Sequence, residues 1–391
     1  MTATLLIAVL ALLAWVYLIT LHGGFWLARQ HENLDLPAPR DPLLPWPAVT
    51  AVIPARNEAD VLPRSLGSLL AQDYPGAFTI ILVDDQSTDG TADVAMRLAA
   101  ATGRAVRVLT GAPLPAGWTG KVWAMHQGLA EANAQPAQSR YVLLTDADIA
   151  YAPDALRQIV CRAEAGNFVL TSLMAKLRCE SFAERALIPA FIFFFQMLYP
   201  FAWVNRPANG TAAAAGGSML ADREALARIG GIAAIRGALI DDCSLAKLMK
   251  RQGPIWLGLS QRVVSLRDYP HVGDIRRMVA RSAYAQLHYS PLLLAGTIVG
   301  MALVYVAAPV LAIFGAFPAN LMALATYGLM ALSLQPTLRY FRLSPLWGLA
   351  LPLIAGAYLV FTLDSAYQHA RGRGGLWKGR VQALPKVKAE Q

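Results

Sequence analysis

The chain has 391 residues, of which 56% are hydrophobic and only 15% are charged, and its formal net charge is +9 at pH 7. In soluble globular proteins about a quarter of the residues are charged, so this composition excludes an ordinary soluble protein. Nucleic-acid binding does not explain the positive charge, because the basic residues border long apolar stretches. The three cysteines, Cys161, Cys179 and Cys243, lack metal-site spacing and are predicted to be reduced thiols.

The first apolar stretch, residues 4–27, contains no Asp, Glu, Lys or Arg. It is long enough to cross about 30 Å of hydrocarbon. A cleaved signal peptide would begin with basic residues and end at a small-residue cleavage site. This stretch has no basic residue before it and ends in Phe25-Trp26-Leu27-Ala28-Arg29. We therefore predict that residues 1–28 form a transmembrane anchor that is not cleaved.

Residues 48–288 have the composition of a water-soluble domain in which strand-like and helix-like segments alternate. Short apolar, β-branched runs predict strands at 49–53, 79–83, 106–109 and 141–145. Helical spacing of apolar residues predicts helices at 58–70, 91–100 and 121–132. Strands that are apolar along their whole length are typical of a parallel sheet covered on both faces. The predicted fold class is therefore α/β, with ligands bound beyond the carboxyl ends of the strands.

Polar residues follow three of these strands, namely Pro54, Arg56 and Glu58, then Asp84 and Asp85, then Asp146 and Asp148. Asp146 and Asp148 are two positions apart and can face the same side at the strand's exit. Mg²⁺ typically takes one or two carboxylates and completes its shell with water and substrate phosphate. The alternative is a strand that ends in an Asp-rich turn. The chain has no Gly-rich loop of the dinucleotide or P-loop type, so these carboxylates suit a nucleotide-sugar better than NAD or ATP.

Seven motifs in this order resemble family 2 glycosyltransferases with the GT-A fold, a Rossmann-like fold of nucleotide-diphospho-sugar transferases. They are Ile53-Pro-Ala-Arg-Asn-Glu58, Val83-Asp-Asp-Gln-Ser-Thr-Asp-Gly90, Gly117-Trp-Thr-Gly-Lys-Val-Trp-Ala124, Asp146-Ala-Asp148, Gly216-Gly-Ser-Met219, Ile240-Asp-Asp-Cys-Ser-Leu245 and Trp377-Lys-Gly-Arg380. The resemblance covers essentially the whole stretch from Val49 to about Arg281. The chain resembles in particular the hopene-associated glycosyltransferases of bacterial hopanoid gene clusters, and more distantly the ceramide glucosyltransferases and carotenoid-pathway transferases.

The resemblance implies a nucleotide-sugar donor, above all a UDP-sugar, and a divalent cation, Mg²⁺ or Mn²⁺. The donor-binding residues it implies are Pro54, Arg56, Glu58, Asp84, Asp85, Lys121, Asp146 and Arg281. Asp84 and Asp85 would bind the base and ribose, and Lys121 would meet a phosphate at a helix start. Asp148 would be the direct metal ligand, with Asp146 beside it as a sugar or ribose partner. An Asx-turn, a surface ion pair and a solvated lysine are the structural alternatives for these residues.

The same resemblance implies that Asp242 is the general base of an inverting reaction. Asp241 stands where the family usually has Glu, so its helper role is less defined, and Asp242 could instead cap a helix at 243–250. Gly216, Gly217 and Ser218 would let the backbone approach the acceptor, unless they form only a flexible loop. Processive relatives carry Gln-x-x-Arg-Trp. The corresponding Arg277-Met-Val-Ala-Arg281-Ser lacks the Gln and the Trp, which argues against a processive polymerase.

Two further apolar blocks, 291–338 and 343–363, predict transmembrane helices within residues 290–366, followed by a basic cytoplasmic tail at 367–391. The positive-inside rule places the soluble domain in the cytoplasm and the N-terminus outside. Three late spans would put the tail outside, unless one block fails to span or residues 187–204 also cross. We interpret 187–204, which is aromatic and interrupted by Pro189 and Pro200, as an interfacial segment. A buried core helix is the alternative.

The sequence thus predicts a multi-pass glycosyltransferase of the bacterial inner membrane that moves a sugar from a nucleotide-sugar to a lipid hydroxyl. A hopanoid acceptor rests on the resemblance alone. One alternative is a polyprenyl-phosphate sugar transferase, for which Arg178, Arg185 and Arg206 could bind phosphate. Another is a non-catalytic membrane scaffold. A transporter fits poorly, because the spans lack charged residues of the kind a proton relay uses. No nucleic-acid partner is expected.

Overall fold

The computed structural model describes residues 3–33, 45–136, 138–377 and 380–381. Most of the predicted basic tail, from residue 382 onward, lies outside the described residues, as do Lys378 and Gly379 of the last motif.

The described part of the soluble domain is built on one eight-stranded sheet with the order β3-β2-β1-β4-β7-β6-β8-β5. The strands are β1 (Val49–Ala55), β2 (Phe78–Asp84), β3 (Val106–Thr110), β4 (Tyr141–Thr145), β5 (Ile149–Tyr151), β6 (Leu170–Lys176), β7 (Ser218–Asp222) and β8 (Ile255–Ser265). β1 to β4 are the four predicted strands and are parallel to one another. The expectation of an all-parallel sheet is wrong beyond them, because β7 runs antiparallel to both β4 and β6.

Helices cover both faces of this sheet. They are α2 (Leu62–Leu70), α3 (Thr91–Thr102), α4 (Gly120–Ala134), α5 (Ala155–Gly166), α6 (Phe182–Leu198), α7 (Phe201–Val204), α8 (Arg223–Arg228), α9 (Asp241–Met249), α10 (Val272–Ala280) and α11 (Ala283–Gln286). One face packs mainly against α2 and α5, and the other against α4, α6 and α9. The helix predicted from Glu58 begins only at Leu62. The N–H groups of Asn57, Glu58 and Ala59 instead donate to side chains of the loop after β2, which holds them outside the helix.

The remaining helices are apolar. They are α1 (Ala3–Thr20), α12 (Pro291–Met301), α13 (Ala307–Phe314), α14 (Ala319–Ser333), α15 (Gln335–Phe341) and α16 (Leu351–Ala370), with a π-helical turn at Ala302–Val306 and a short strand pair at Leu376–Trp377 and Arg380–Val381. In the described residues, five helical stretches are long and apolar enough to cross a membrane. They are Ala3–Thr20, Phe182–Val204, Pro291–Phe314, Ala319–Phe341 and Pro345–Ala370.

The stretch Phe182–Val204 differs from the others because 56% of its most apolar window is buried in the protein, against 11% for Pro291–Phe314. Its helix α6 starts in a capping box, in which Ser181 Oγ accepts from Glu184 N–H and Glu184 accepts from Ser181 N–H. We expected its aromatic side chains to face the membrane, yet Phe193 and Phe201 are buried in the protein. Residues of this stretch belong to two apolar clusters. Its buried aromatic rings therefore pack against other parts of the protein.

The sheet domain and the apolar helices share one continuous interior. Tyr358 and Phe361 of α16 belong to the same apolar cluster as α4 and α9 on one sheet face. A second cluster joins Trp15 of α1 and Phe193 of α6, and the Trp15 indole donates to the carbonyl of Val304 at 2.7 Å. The described part of the domain is therefore packed directly on the apolar helices.

We predict that Gly128 of α4 tolerates no side chain. A Cβ at this position would lie 2.4 Å from Cγ1 of Val52, which is fully buried in β1. Gly128→Ala should lower the thermal unfolding midpoint in detergent, by the equivalent of roughly 1–3 kcal/mol for an overpacked core. Gly67→Ala in α2 is the matched control, because nothing lies within 4 Å of its Cβ position. It should be neutral or stabilising by up to about 1 kcal/mol. Equal midpoints for the two variants would contradict this packing.

Candidate active site

A cavity of about 790 Å³ lies where residues following β1, β4 and β8 meet the start of α9. Its charged wall contains Glu58, Lys121, Asp146, Asp148, Asp241, Asp242, Arg267, Arg277 and Arg281. Pro54 of β1 also lines it. The strand ends therefore bring together residues that are up to about two hundred positions apart in the chain, as expected for a sheet of this class.

Lys121 holds two of the carboxylates. It lies in the first turn of α4, with Nζ 2.8 Å from Oδ1 of Asp146 and 3.1 Å from Oδ2 of Asp241. Burial by itself lowers the pKa of Lys121, but the two carboxylates outweigh it and raise the pKa above its ordinary value. Burial raises the pKa of Asp146, and Lys121 only partly opposes this shift. The ammonium group therefore stays charged and joins the exit of β4 to the start of α9.

Asp242 is held by two backbone donors. Gly216 N–H donates to its Oδ2 at 2.9 Å, and Cys243 N–H donates to its Oδ1 at 2.7 Å. The cap position of α9 is Ile240, so Asp242 lies in the first turn of the helix and does not cap it. Burial and the charge of the neighbouring Asp241 raise the pKa of Asp242 to about 6. This half-buried carboxylate can therefore accept a proton near neutral pH.

Gly216 and Gly217 both line the cavity, and Gly216 lies against Lys121 and Asp242. A Cβ on Gly216 would lie 3.1 Å from Nζ of Lys121 and 3.3 Å from Oδ2 of Asp242. A side chain at position 216 would thus crowd the ion pair and the candidate base. Ser218 is fully buried in β7 and does not line the cavity.

Arg267, which the sequence analysis did not single out, lies between two predicted site residues. Its Nε is 2.9 Å from Oδ2 of Asp148, and its Nη2 donates to both carboxylate oxygens of Glu58 at 2.9 and 3.0 Å. Burial lowers the pKa of Arg267, but Asp148 and Glu58 outweigh this effect and raise it. The signal that could have found it is its position directly after β8, since strand ends converge at this edge of the sheet.

Three predicted donor-binding residues, Arg56, Asp84 and Asp85, lie beside the cavity and do not line it. Arg56 donates to the carbonyl of Asp85, and its Nη1 is 3.8 Å from the Asp85 carboxylate. Asp84 accepts from Ser87 N–H at 3.3 Å, in a turn of the kind weighed as its structural alternative. These residues are nevertheless close in the fold, because β2 pairs with β1, whose exit carries Pro54.

The donor set fits a divalent cation only if a ligand completes the coordination shell. In the described part of the chain, no three His, Cys, Asp or Glu side chains form a group that could hold a metal. Asp146 and Asp148 nevertheless line one cavity, and their oxygens are hard ligands. Mg²⁺ commonly takes one or two carboxylates together with substrate phosphates and water. The two carboxylates are therefore suitable ligands for a cation that arrives with a phosphate-bearing substrate.

Apolar side chains also line the cavity. They are Met174, Leu177, Phe191, Phe195 and Met278. Phe191 and Phe195 belong to α6, the helix that also packs against the apolar helices. The cavity therefore has charged groups suited to a charged donor and apolar side chains suited to an apolar partner.

Comparison with known proteins agrees with this architecture. Residues 50–230 match the family model described as glycosyl transferase family 2. Over 174 residues the chain is 30% identical to the beta-monoglucosyldiacylglycerol synthase of Synechocystis sp.. That match covers 39% of this chain and 35% of the relative, so the chain spans about a third of the length of this curated relative.

Among solved structures, the chain is similar to the mannosyltransferase PcManGT from Pyrobaculum calidifontis in complex with GDP-Man and Mn²⁺. The TM-score is 0.57 at 20% identity, and the match covers 96% of this chain and 100% of that chain. This similarity establishes the fold. Together with the match of residues 50–230 to the family 2 model, it shows a Rossmann-like α/β domain of the GT-A fold, packed on apolar helices that could span a membrane.

Proposed function

We propose that the chain is a membrane-bound, inverting glycosyltransferase that moves a sugar from a nucleotide-sugar to the hydroxyl group of a lipid. The observation that carries this proposal is the cavity itself, which is lined both by Asp146, Asp148 and Asp242 and by apolar side chains of α6 and α10. A donor with a diphosphate and an acceptor with a hydrocarbon portion would each find a matching surface there.

The donor would lie along the ends of β1, β2 and β4. Asp84 and Asp85 would bind the base and ribose, with Arg56 and Glu58 framing the pocket, and a UDP-sugar is the expected donor. Lys121 and Arg281 would approach the diphosphate from two sides of the cavity. Asp148 and Asp146 would hold Mg²⁺ or Mn²⁺, which would neutralise charge on the departing diphosphate. The solved neighbour described above contains GDP-Man and Mn²⁺, in keeping with this class of ligands.

Asp242 would act as the general base. Its carboxylate would take the proton of the acceptor hydroxyl while that oxygen attacks the anomeric carbon. The bond from that carbon to the diphosphate oxygen would break at the same time, so the configuration inverts and no covalent enzyme intermediate is needed. Asp241 would support this role through Lys121, which it shares with Asp146.

The acceptor is proposed to be a lipid because α6 contributes Phe191 and Phe195 to the cavity and also packs on the apolar helices. The Synechocystis relative is named as a synthase of a glycolipid, which is consistent with this class of acceptor. A hopanoid is the specific acceptor suggested by the sequence resemblance. The arginines considered for a polyprenyl phosphate, Arg178, Arg185 and Arg206, do not line the cavity. No structural observation therefore favours that alternative.

The soluble domain is proposed to lie on the cytoplasmic side of a bacterial inner membrane. The pairing of β6 with β7 supports the interpretation that residues 187–204 do not cross. These two strands flank α6 and α7 in the chain and are hydrogen-bonded neighbours in one sheet. A single crossing between them would put paired strands on opposite sides of the membrane.

The Asp242→Asn variant separates chemistry from binding. The amide keeps the shape of the side chain but cannot take a proton, so transfer to lipid should fall by about 10²–10⁴-fold. Nucleotide-sugar affinity should barely change. Both quantities can be measured on purified protein in nanodiscs, using labelled UDP-sugars and a bacterial lipid extract. Asp73→Asn, at an exposed carboxylate paired with Arg157 outside the cavity, is the control. Full turnover in Asp242→Asn would remove Asp242 from this role.

The transfer rate should depend on pH through Asp242. A base works only when it is ionised, and the pKa of Asp242 is raised to about 6, so kcat/KM should rise as the pH increases through this value. Burial is the larger cause of the shift, and the Asp241 charge is the next. Asp241→Asn should therefore move the acidic limb to lower pH. A wild-type limb at the ordinary aspartate value of 3.8 would contradict the proposed environment.

The apolar side chains that line the cavity give a third test. Phe191→Ala should raise the KM for the lipid acceptor roughly tenfold or more, because a large apolar contact is lost. The affinity for the nucleotide-sugar should stay unchanged. Phe182→Ala is the matched control on the same helix, since Phe182 is 76% exposed and lies outside the cavity. Equal acceptor KM values for the two variants would show that Phe191 does not bind the acceptor.

A further inference from the structure

Arg267 forms a bridge between two carboxylates that the donor site is expected to use. Its guanidinium contacts Asp148 through Nε and Glu58 through Nη2, all at 2.9–3.0 Å. The side chains of Asp148 and Glu58 are only 14% and 9% exposed. This cation is therefore not a surface side chain that happens to lie near a carboxylate. It is part of the wall in which the metal ligand Asp148 has been proposed.

The backbone around Arg267 is fixed at both ends of its loop. Leu266 N–H donates to the carbonyl of Asp148 at 2.8 Å, and Tyr269 N–H donates to Oε1 of the buried Glu184 at 2.8 Å. Glu184 in turn accepts, through Oε2, from the N–H groups of Glu180 and Ser181, which directly precede α6. Because both neighbours are tied down, the guanidinium is held beside Asp148 and does not have to be recruited when a ligand arrives.

A fixed guanidinium on Asp148 changes what a divalent cation meets there. Arg267 uses Oδ2 of Asp148, and Oδ1 accepts no hydrogen bond from the described residues. A cation on Oδ1 would lie close to the guanidinium and be repelled by it. Arg267 already offsets one of the two negative charges of Glu58 and Asp148, so a divalent cation alone is attracted less strongly than it would be without the guanidinium. A diphosphate brought in with the cation would add negative charge and could accept hydrogen bonds from Arg267.

We infer that Arg267 is a positioning residue that makes divalent-cation binding depend on the nucleotide diphosphate. The wild-type site then holds the cation weakly by itself and tightly together with the nucleotide. This inference rests on the proposed function, because it takes Asp148 as the cation ligand and a nucleotide diphosphate as part of the donor.

The test is the binding of Mn²⁺ to the purified full chain, followed by electron paramagnetic resonance with and without UDP. In the wild type, UDP should tighten Mn²⁺ binding by roughly tenfold or more, within the usual range for coupled sites. Arg267→Met keeps the apolar stem and removes the charge. It should bind Mn²⁺ alone roughly tenfold more tightly than the wild type and lose most of the UDP effect. Arg267→Lys, which keeps the charge, should retain part of the coupling.

Arg107→Met is the matched control. It removes one positive charge from an exposed side chain that pairs with Glu131, and neither residue lines the cavity, so its Mn²⁺ binding should follow the wild type. Identical Mn²⁺ affinities for wild type and Arg267→Met without UDP would overturn the inference. If Arg267→Met does not fold, Glu58→Gln decides, because loss of this negative charge should weaken binding of Mn²⁺ alone. Unchanged binding in that variant would also overturn it.

Failure of the proposed function gives a different result. A wild-type chain that binds Mn²⁺ tightly and equally with and without UDP, while transferring sugar to lipid, would overturn only the coupling. A chain that binds neither UDP nor GDP at any Mn²⁺ concentration would overturn the donor assignment, and the inference with it.

Discussion

The structure of this site depends on two partly buried cations, Lys121 and Arg267, placed among five carboxylates. Glu58, Asp146, Asp148, Asp241 and Asp242 line one cavity, where their charges would repel one another and burial would favour their protonated forms. Lys121 bridges Asp146 and Asp241, and Arg267 bridges Asp148 and Glu58. Removing one partner from such a pair leaves an uncompensated buried charge, which is strongly destabilising. Asp242 forms no ion pair with a described residue, and its pKa is raised to about 6.

The change from parallel to antiparallel pairing at β4 and β7 brings the two halves of the site together. Thr145 at the end of β4 pairs with Ser218 at the start of β7, and the Thr145 hydroxyl donates to the carbonyl of Gly217 at 2.9 Å. Gly216 is thereby placed beside the exit of β4, where its N–H meets Asp242. The candidate metal ligands Asp146 and Asp148 follow β4, and the candidate base Asp242 lies in the first turn of α9. The antiparallel pairing of β4 with β7 helps to bring these groups to one cavity.

Helix α6 connects this cavity to the apolar helices. Glu184 completes the capping box at the start of the helix and accepts a hydrogen bond from Tyr269 N–H in the loop that carries Arg267. Phe191 of the same helix lines the cavity, and Phe193 packs into the cluster around Trp15. One helix therefore contacts the loop of Arg267, the cavity and the apolar helices. For the proposed reaction, this arrangement would bring a lipid hydroxyl from the apolar side to the base at Asp242 without exposing the hydrocarbon portion to water.

Local sequence patterns are enough to predict several features of this protein. Apolar runs predict β1 to β4. Positions just after a strand or at the start of a helix predict that Asp146, Asp148, Lys121 and Asp242 lie at one edge of the sheet. The antiparallel course of β7, the burial of the α6 aromatic rings and the position of Arg267 were decided only by the tertiary structure. Each depends on a partner distant in the chain, as Arg267 and Asp148 are 119 positions apart. No local periodicity encodes such a contact, because it forms only when the sheet brings the ends of β4 and β8 together.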